Sequence, residues 1–555
     1  MAVAAEHLRM DIDSGKSLKP VTIAFVLTGL AAMFIGSLFG PLQAFNYADI
    51  NLYPHFLIKS YYTGLTVHGV MNALVFTTYF NCAILSYFSS RELGETPNRR
   101  MIWLGYWVMT IGVVMAAFAV LSGRASVLYT FYPPLQAWWP FYIGAAMLVV
   151  GSLIVGAAVV LHWMSWKRRH PGQITPLLTH MSVATWLMWG LAALGIAVEV
   201  VVFLIPWSLG AWKGVDPLLA RTLFWFTGHA IVYFWLLPAY ISWYALVPHQ
   251  AGGRLISDTA ARLSFVLFLL FSIPVGLHHQ FEDAGIGMGW KMAQMTLTFF
   301  VIVPSLLTAF TVAASLETAG RARGGRGWLG WFTRLPWKDP SVAAQVLAML
   351  TFIIGGATGI VLASGWLNVM AHNTSFIPGH FHLTVGTAVA ITFIGMTFWW
   401  LPHLTRKPLF APRLALATAW LWFVGMMSMG CGLMSMGILT GAPRRDWISE
   451  LPHDPFHNLP TMILTAAGGT LLAIGLLTYL IVIVGTLLRK KNPDAVSDEI
   501  PYQAPPVHDG KLVRALDHLF VWAGATVLII AAFYGPVLYM LFTHQIPLPG
   551  VGTGG

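Results

Sequence analysis

The sequence predicts an all-α fold, a polytopic transmembrane bundle of about 13 helices, on the strength of three observations. Hydrophobic residues make up 57% of the 555 positions and charged residues only 9%, which is unlike a soluble globule. The apolar residues gather in stretches long enough for the roughly 20 residues that a helix needs to cross a bilayer. The period-2 alternation of a membrane barrel is missing, so each segment must satisfy its backbone groups as a helix.

These stretches define one transmembrane domain over residues 20–543, with a polar tail at 1–19 and a second tail at 544–555. The predicted spans are 20–46, 60–88, 102–122, 139–164, 178–207, 218–248, 259–281, 291–318, 341–366, 376–403, 413–440, 460–488 and 514–543.

Basic residues predict the orientation of the bundle. Most of the 31 Lys and Arg residues lie in the first tail and in the even-numbered connections, so these should face the cytoplasm, and the N-terminus with them. The exceptions are Lys59, Arg124, Lys213, Arg221, Lys291, Arg444 and Arg445. The net charge of +10 is thereby explained as a topology signal, without nucleic-acid binding. Cys82 and Cys431 are isolated, so we expect neither covalently attached haem nor a thiolate copper centre in this chain.

Six of the nineteen histidines fall at one predicted depth, the outer third to half of the membrane. His68, for example, lies about eight residues into the second span, which corresponds to roughly 12 Å. A single histidine in such a helix is commonly bonded to a neighbouring helix. Six at one depth favour metal or cofactor ligation, because such side chains are costly in hydrocarbon. The six are His68, His229, His278, His279, His380 and His382.

The spacing of these histidines suggests more than one centre. His380 and His382 are two apart and point to opposite sides of a helix, so this helix should serve two centres. His278 and His279 can converge on one ion if the last helical turn is distorted, and His229 could supply a third imidazole. Three neutral imidazoles suit copper. Tyr233 lies four residues after His229, on the same helix face.

These residues lie in segments that together resemble the haem–copper oxygen reductases, specifically the B-type cytochrome c oxidases of thermophilic prokaryotes. The resemblance spans nearly the whole chain. The segments are LTVHGV at 65–70, VLYTFYPPL at 127–135, GHAIVYFWLLPAY at 228–240, HH at 278–279, PGHFHL at 378–383 and PRR at 443–445.

The resemblance implies the fold of an oxidase subunit I and a proton-pumping enzyme that reduces dioxygen to water in a prokaryotic plasma membrane. It implies His68 and His382 as ligands of a low-spin haem, expected to be b-type, and His380 as the ligand of a high-spin haem, expected to be a-type. It also implies copper on His229, His278 and His279, and a covalent bond between His229 and Tyr233. Four further residues are expected near the haem propionates: Arg444, Arg445, His372 and Asn368.

Two positions depart from the family pattern. Ala230 stands where the family more commonly has proline, and Asn368 stands where B-type relatives carry an aspartate. The second departure puts in doubt any role of position 368 in loading a pumped proton.

Proton supply needs a route that differs from that of A-type enzymes, because their glutamate is here Ile231 and the eighth span lacks their lysine. Hydroxyl side chains instead form one stripe along the sixth span and a parallel stripe along the eighth span. Together these two stripes resemble the single proton-uptake path of B-type enzymes. Such stripes also serve as hydrogen-bonded contacts between helices. The expected path residues are Tyr240, Tyr244, Ser257, Ser305, Thr308 and Thr311.

Alternative functions remain at this stage. A nitric oxide reductase usually needs intramembrane glutamates, which the sixth and seventh spans lack, and a transporter would not explain PGHFHL. The expected partners are a subunit II with a dinuclear copper centre, cytochrome c as electron donor, dioxygen and lipid. Quinol remains a possible donor.

Overall fold

The computed structural model describes residues 18–54, 58, 60–496, 502 and 510–543. Almost all of this part of the chain is helical or connects helices, and its only extended pairing is an isolated bridge between Thr374 and Pro443. The all-α class that the sequence predicts is thus confirmed. The tails at 1–17 and 544–555 lie outside the described residues, as does Lys59.

Thirteen helical segments, α1 to α13, correspond to the thirteen predicted spans. Eleven are long and apolar enough to cross a membrane as single helices. In order, the segments are α1 Lys19–Asn46, α2 Tyr61–Leu93, α3 Arg99–Leu121, α4 Trp139–Arg169, α5 Leu177–Ser208, α6 Pro217–Gln250, α7 Asp258–Phe271, α8 Met288–Ala322, α9 Pro340–Ala363, α10 Phe376–Thr405, α11 Pro412–Thr440, α12 Leu459–Leu488 and α13 Leu519–Phe533 with Gly535–Phe542.

Two predicted spans differ from the structure. The span 259–281 is not one helix, because α7 ends at Phe271 and a short 3-10 helix, Gly276–Gln280, follows. Pro274 lies in the break and disfavours helical conformation in the residue before it. The span 514–543 contains a short helix, Lys511–Leu516, and then α13, which bends by 46° before Gly535.

Polar residues fix where several helices begin. Asp216 accepts hydrogen bonds from the backbone N–H groups of Leu218 and Leu219 at the start of α6, which satisfies donors that lack intrahelical partners. Asn98, Ser257, Asp339 and Asn458 do the same for α3, α7, α9 and α12.

The centre of the bundle is formed by α2, α6 and α10. Between 72% and 83% of the residues in their most apolar windows are buried, against 33% in α3, α8 and α12. These three central helices carry His68, His229, His380 and His382, so the fold places the histidines away from lipid. Elsewhere glycines permit close helix contact: a Cβ on Gly112 of α3 would lie 2.6 Å from the Gly144 carbonyl of α4.

Short π-helical segments interrupt three of the helices that matter for the site. They cover Val70–Phe76, just after His68, Ser242–Leu246, just after Tyr240, and Thr384–Val389, just after His382. Each shifts the following residues around the helix axis, and such segments are frequent at functional sites.

Candidate haem and copper site

His68 and His382 face each other across a gap between α2 and α10. Their rings are nearly parallel, with an interplanar angle of 16° and centroids 6.0 Å apart. Nδ1 of His68 lies 3.0 Å from the Gly36 carbonyl, and Nδ1 of His382 lies 2.6 Å from the Pro378 carbonyl. A carbonyl can only accept, so both Nδ1 atoms carry protons and both Nε2 atoms retain lone pairs for a metal.

His380 belongs to the same helix but has a different neighbour. Its Nδ1 lies 2.9 Å from Oγ1 of Thr358 on α9. A Cβ at Gly359 would lie 3.3 Å from Cε1 of His380, so the glycine lets α9 approach the ring closely. The structure thus places the two histidines of α10 in different environments, as their spacing predicts.

His229, His278 and His279 form a cluster in which one nitrogen of each ring lies within 4.8 Å of the others. Nδ1 of His229 is 3.1 Å from Nε2 of His279. The break after α7 produces this convergence, because the 3-10 helix turns both adjacent histidines toward α6. The distorted last turn that the sequence required is therefore present.

Neighbouring side chains orient this cluster. The Trp225 ring stacks on His279, with centroids 3.8 Å apart and an angle of 11°. Nδ1 of His278 lies 3.0 Å from Oγ1 of Thr298 on α8. Nε2 of His229 lies 3.2 Å from the Tyr233 hydroxyl. His229 therefore directs one ring nitrogen at His279 and the other at the phenol.

Arg444 and Arg445 lie in the connection between α11 and α12. Arg444 lines the same cavity as His68 and His382. Burial and then the adjacent charge of Arg445 lower the pKa of Arg444 to about 10. Arg445 packs over the rings of Tyr129 and Tyr132. Its Nε and Nη2 are buried without a hydrogen-bond partner among the described residues, which is the environment expected of a site for an anion.

His372 and Asn368 lie together just after α9: Asn368 in the short helix Gly365–Ala371, and His372 at the end of that helix. Nδ1 of His372 is 3.1 Å from Oδ1 of Asn368, and Nδ2 of Asn368 donates to the Leu362 carbonyl. Burial, and then the nearby charge of Arg444, lower the pKa of His372 to about 4. His372 therefore lies close enough to Arg444 to interact with its charge.

The predicted proton-path residues are only partly connected by direct hydrogen bonds. The Tyr244 hydroxyl lies 2.8 Å from Oγ1 of Thr308 and 3.1 Å from Oγ of Ser264. The Tyr240 hydroxyl is buried close to Ser305, without a hydrogen bond of good geometry. Bridging waters would be needed to join these groups into one chain.

The other two predicted path residues make only local contacts. Oγ of Ser257 accepts from the Ala260 N–H and caps α7. Oγ1 of Thr311 donates to the Leu307 carbonyl in its own helix.

Sequence reasoning missed several polar residues around the site. Ser264, Thr298 and Thr358 each hydrogen-bond to a predicted site residue, but a lone hydroxyl in an apolar helix gives no signal of its own. Glu199 of α5 did give a signal, as an acid within VEVVVFLIP. It is fully buried, and neither carboxyl oxygen has a partner within the described ranges.

Three observations on this chain fit, in turn, a haem between two histidines, a copper ion and haem propionates. A metal–imidazole bond is about 2 Å long, and the gap between the parallel rings of His68 and His382 accommodates an ion with one such bond on each side. The trio of neutral nitrogen donors suits copper. The unpartnered guanidinium nitrogens of Arg445 can receive carboxylates such as propionates.

Comparisons with known proteins point the same way. The sequence profile of the family "Cytochrome C and Quinol oxidase polypeptide I" matches residues 20–471. A cytochrome c oxidase subunit 1 of Thermus thermophilus is 48% identical over 96% of this chain and 96% of its own length. A quinol oxidase subunit 1 of Sulfolobus acidocaldarius is 24% identical over 82% of this chain and 87% of its own. A solved haem–copper terminal oxidase dimer superposes with a TM-score of 0.89 at 37% identity, covering 94% of this chain and 92% of that one.

Proposed function

The chain belongs to the family of cytochrome c and quinol oxidase polypeptide I, and we propose that this terminal oxidase subunit reduces dioxygen between His380 and the trio His229, His278 and His279. The observation that carries the proposal is the convergence of that trio beside Tyr233. When bound, a high-spin haem and copper would supply the metal pair and the electrons for this reduction. The protein supplies the ligands, the charge balance and the protons.

Each histidine has a distinct role in the proposal. His68 and His382 would hold a low-spin haem, which would supply electrons to the dioxygen site, and His380 would hold the high-spin haem. The expected identities are a b-type low-spin haem and an a-type high-spin haem. Arg444 and Arg445 neutralise propionates, with His372 and Asn368 beside them, because two buried cations near the low-spin pair lack a carboxylate partner among the described residues.

Tyr233 is the proposed catalytic proton donor. Its hydroxyl holds a proton 3.2 Å from Nε2 of His229. A covalent bond between the two side chains is compatible with copper ligation, because Nδ1 of His229 is the nitrogen that faces His279. Mass spectrometry of a proteolytic digest tests this directly: linked peptides support the bond, and separate peptides of unmodified mass exclude it.

Protons reach Tyr233 from the cytoplasmic side in this proposal. The donors and acceptors are Tyr240, Tyr244, Ser257, Ser305, Thr308 and Thr311, and the contacts of Tyr244 with Thr308 and Ser264 support the central part. The orientation, with the N-terminus inside a prokaryotic plasma membrane, is inferred from the basic connections. The tails at 1–19 and 544–555 flank the single transmembrane domain.

Cytochrome c is the proposed electron donor, through a subunit II that carries a dinuclear copper centre. Cys82 and Cys431 are separate free thiols, so this chain does not itself provide the pair of cysteines for such a centre. Quinol is the second candidate, because relatives include quinol oxidases. Oxygen consumption by the purified complex with reduced cytochrome c or with a quinol separates the two.

A visible spectrum of the dithionite-reduced complex tests the haem assignment. Two haem signals are expected, of which carbon monoxide shifts one. A single haem, or two that both respond to carbon monoxide, would contradict the division of roles between His382 and His380. A nitric oxide reductase is not favoured, since α6 and α7 contain no glutamate.

A further inference from the structure

Four of the six predicted metal ligands fall into two classes according to what lies beside Nδ1. His68 and His382 donate to backbone carbonyls, those of Gly36 and Pro378. His380 and His278 instead contact threonine hydroxyls, at 2.9 Å for Thr358 and 3.0 Å for Thr298. His68 and His382 thus use the main chain, whereas His380 and His278 also have a side-chain hydroxyl beside Nδ1.

The direction of both threonine contacts follows from the other bond that each hydroxyl makes. Oγ1 of Thr358 donates to the Gly355 carbonyl at 2.8 Å, and Oγ1 of Thr298 donates to the Gln294 carbonyl at 2.8 Å. A hydroxyl has one proton. Since that proton is committed to a carbonyl, each threonine oxygen must accept from the histidine.

We propose that Thr358 and Thr298 are positioning residues that hold His380 and His278 in the tautomer with Nε2 free for the metal. Each forms a relay in which histidine N–H donates to hydroxyl and hydroxyl donates to carbonyl. Such chains polarise their members, and the group that holds the distal nitrogen of a ligating histidine orients the ring and raises its basicity. The proposal rests on the proposed ligand roles of His380 and His278.

The surroundings of Thr358 support a specific role. The run Gly355, Gly356, Ala357, Thr358, Gly359 brings α9 against the ring of His380 with little side-chain volume. Thr358 is the single member that presents a polar side chain. The Gly355 carbonyl also lies near Nδ1 of His380, so it is the competing acceptor.

Valine substitution with a serine control separates these possibilities. Valine nearly preserves shape and removes the hydroxyl, whereas serine retains it. In Thr358→Val we expect the iron–histidine stretching band of the reduced high-spin haem to shift to lower frequency, with copper content unchanged. Thr358→Ser should restore the parent frequency. An unchanged or raised frequency in Thr358→Val would overturn this assignment, because the Gly355 carbonyl would then be the acceptor.

Thr298→Val should give the converse result. The dissociation constant for copper, measured by chelator competition, should rise by about 10-fold to 100-fold, while the iron–histidine band stays in place and Thr298→Ser recovers the affinity. Unaltered copper affinity in Thr298→Val would overturn the relay at His278. Failure of the ligand roles themselves is distinguishable, since His380→Ala would then leave the carbon monoxide response intact.

Discussion

At the predicted outer half of the bundle, six histidines and two arginines, all buried or half-buried, lie around α2, α6 and α10. At the inner ends of α4, α5 and α7 a second polar group surrounds Asp517. Asp517 accepts from Lys167 Nζ at 2.8 Å and from the Thr175 N–H at 3.2 Å. Arg262, which is 0% exposed, pairs with Asp258 at 2.6 Å. Nη1 of Arg262 makes no hydrogen bond among the described residues, but the inner group pairs each of these charged side chains with an opposite charge.

The outer group does not. His229, His278 and His279 each bring one nitrogen within 4.8 Å of the others, and Nε and Nη2 of Arg445 have no hydrogen-bond partner among the described residues. Burying polar groups is costly unless they find partners. We therefore interpret the outer group as a site whose partners are cofactors, and the inner group as a cluster that stabilises the fold. Variants in the outer group should remove cofactors and activity, and variants in the inner group should remove stability alone.

The largest expected effect is in the copper trio. His279→Ala should abolish oxygen reduction and deplete copper while both haems stay bound, because it removes one of three imidazole ligands. Turnover measured together with metal analysis of the purified complex checks this. Full copper in the pure variant would contradict the outer group's dependence on that ligand, and His170→Ala, outside the site, serves as control.

A second pair of substitutions divides the outer group. His382→Ala should remove the low-spin haem signal, and His380→Ala should remove the carbon monoxide response, because the two side chains contact different neighbours. Both variants should lose nearly all turnover. Loss of the same signal in both would mean that α10 serves one centre.

These contrasts were only partly predictable from sequence. Apolar length and the depth of the histidines are local properties, so the helices and the six candidate ligands could be predicted. A count of apolar residues predicts one span over 259–281 and does not show the break after Phe271. Pro274, which lies in this break, is the residue in the sequence that indicates it. The contacts of Thr298, Thr358 and Ser264 depend on which helices pack together, which no local pattern contains.

The hydroxyl stripe should give an intermediate effect. Thr308→Val removes the hydroxyl that contacts Tyr244 with little change in volume. If protons pass here, turnover should fall by about tenfold, a barrier increase of about 1.4 kcal/mol, with both haem spectra intact. Normal turnover with thermal stability lowered by about 0.6 kcal/mol would instead identify a contact between helices.

Tyr244→Phe and Ser264→Ala extend this test to Tyr244 itself and to its other hydrogen-bond partner, Ser264. Tyr244→Phe should match Thr308→Val if both lie on one path. Ser264→Ala should have a smaller effect, because its hydroxyl is the more distant of the two partners of Tyr244, at 3.1 Å. Unchanged turnover in both Thr308→Val and Tyr244→Phe would exclude this path.

The smallest effect on turnover is expected for Asp517→Asn, which tests whether the inner group is structural. The free energy of unfolding should fall by about 2 kcal/mol, because hydrogen bonds to a charged group are lost, whereas turnover per intact enzyme stays the same. Glu317→Gln is the matched control: its partner Arg321 is exposed, so its loss should cost less than about 0.5 kcal/mol. Reduced turnover of folded Asp517→Asn would contradict the structural assignment.

The difference in unfolding free energy between the parent and Asp517→Asn should depend on pH in a way that identifies which group stabilises the inner cluster. Burial raises the pKa of Asp517, but the nearby His180, whose Nδ1 lies 3.7 Å away, and the hydrogen bond from Lys167 outweigh it, so the net pKa is well below the usual value. A carboxyl with a lowered folded-state pKa stabilises the protein fully above its unfolded value, about 3.9, and loses that contribution as the pH falls below it. The stability difference between parent and Asp517→Asn, followed by thermal unfolding of the purified complex, should therefore remain constant from pH 8 to pH 5. A difference that already changes in this range would mean that a neighbouring group such as His180, rather than Asp517, controls the strength of the inner cluster.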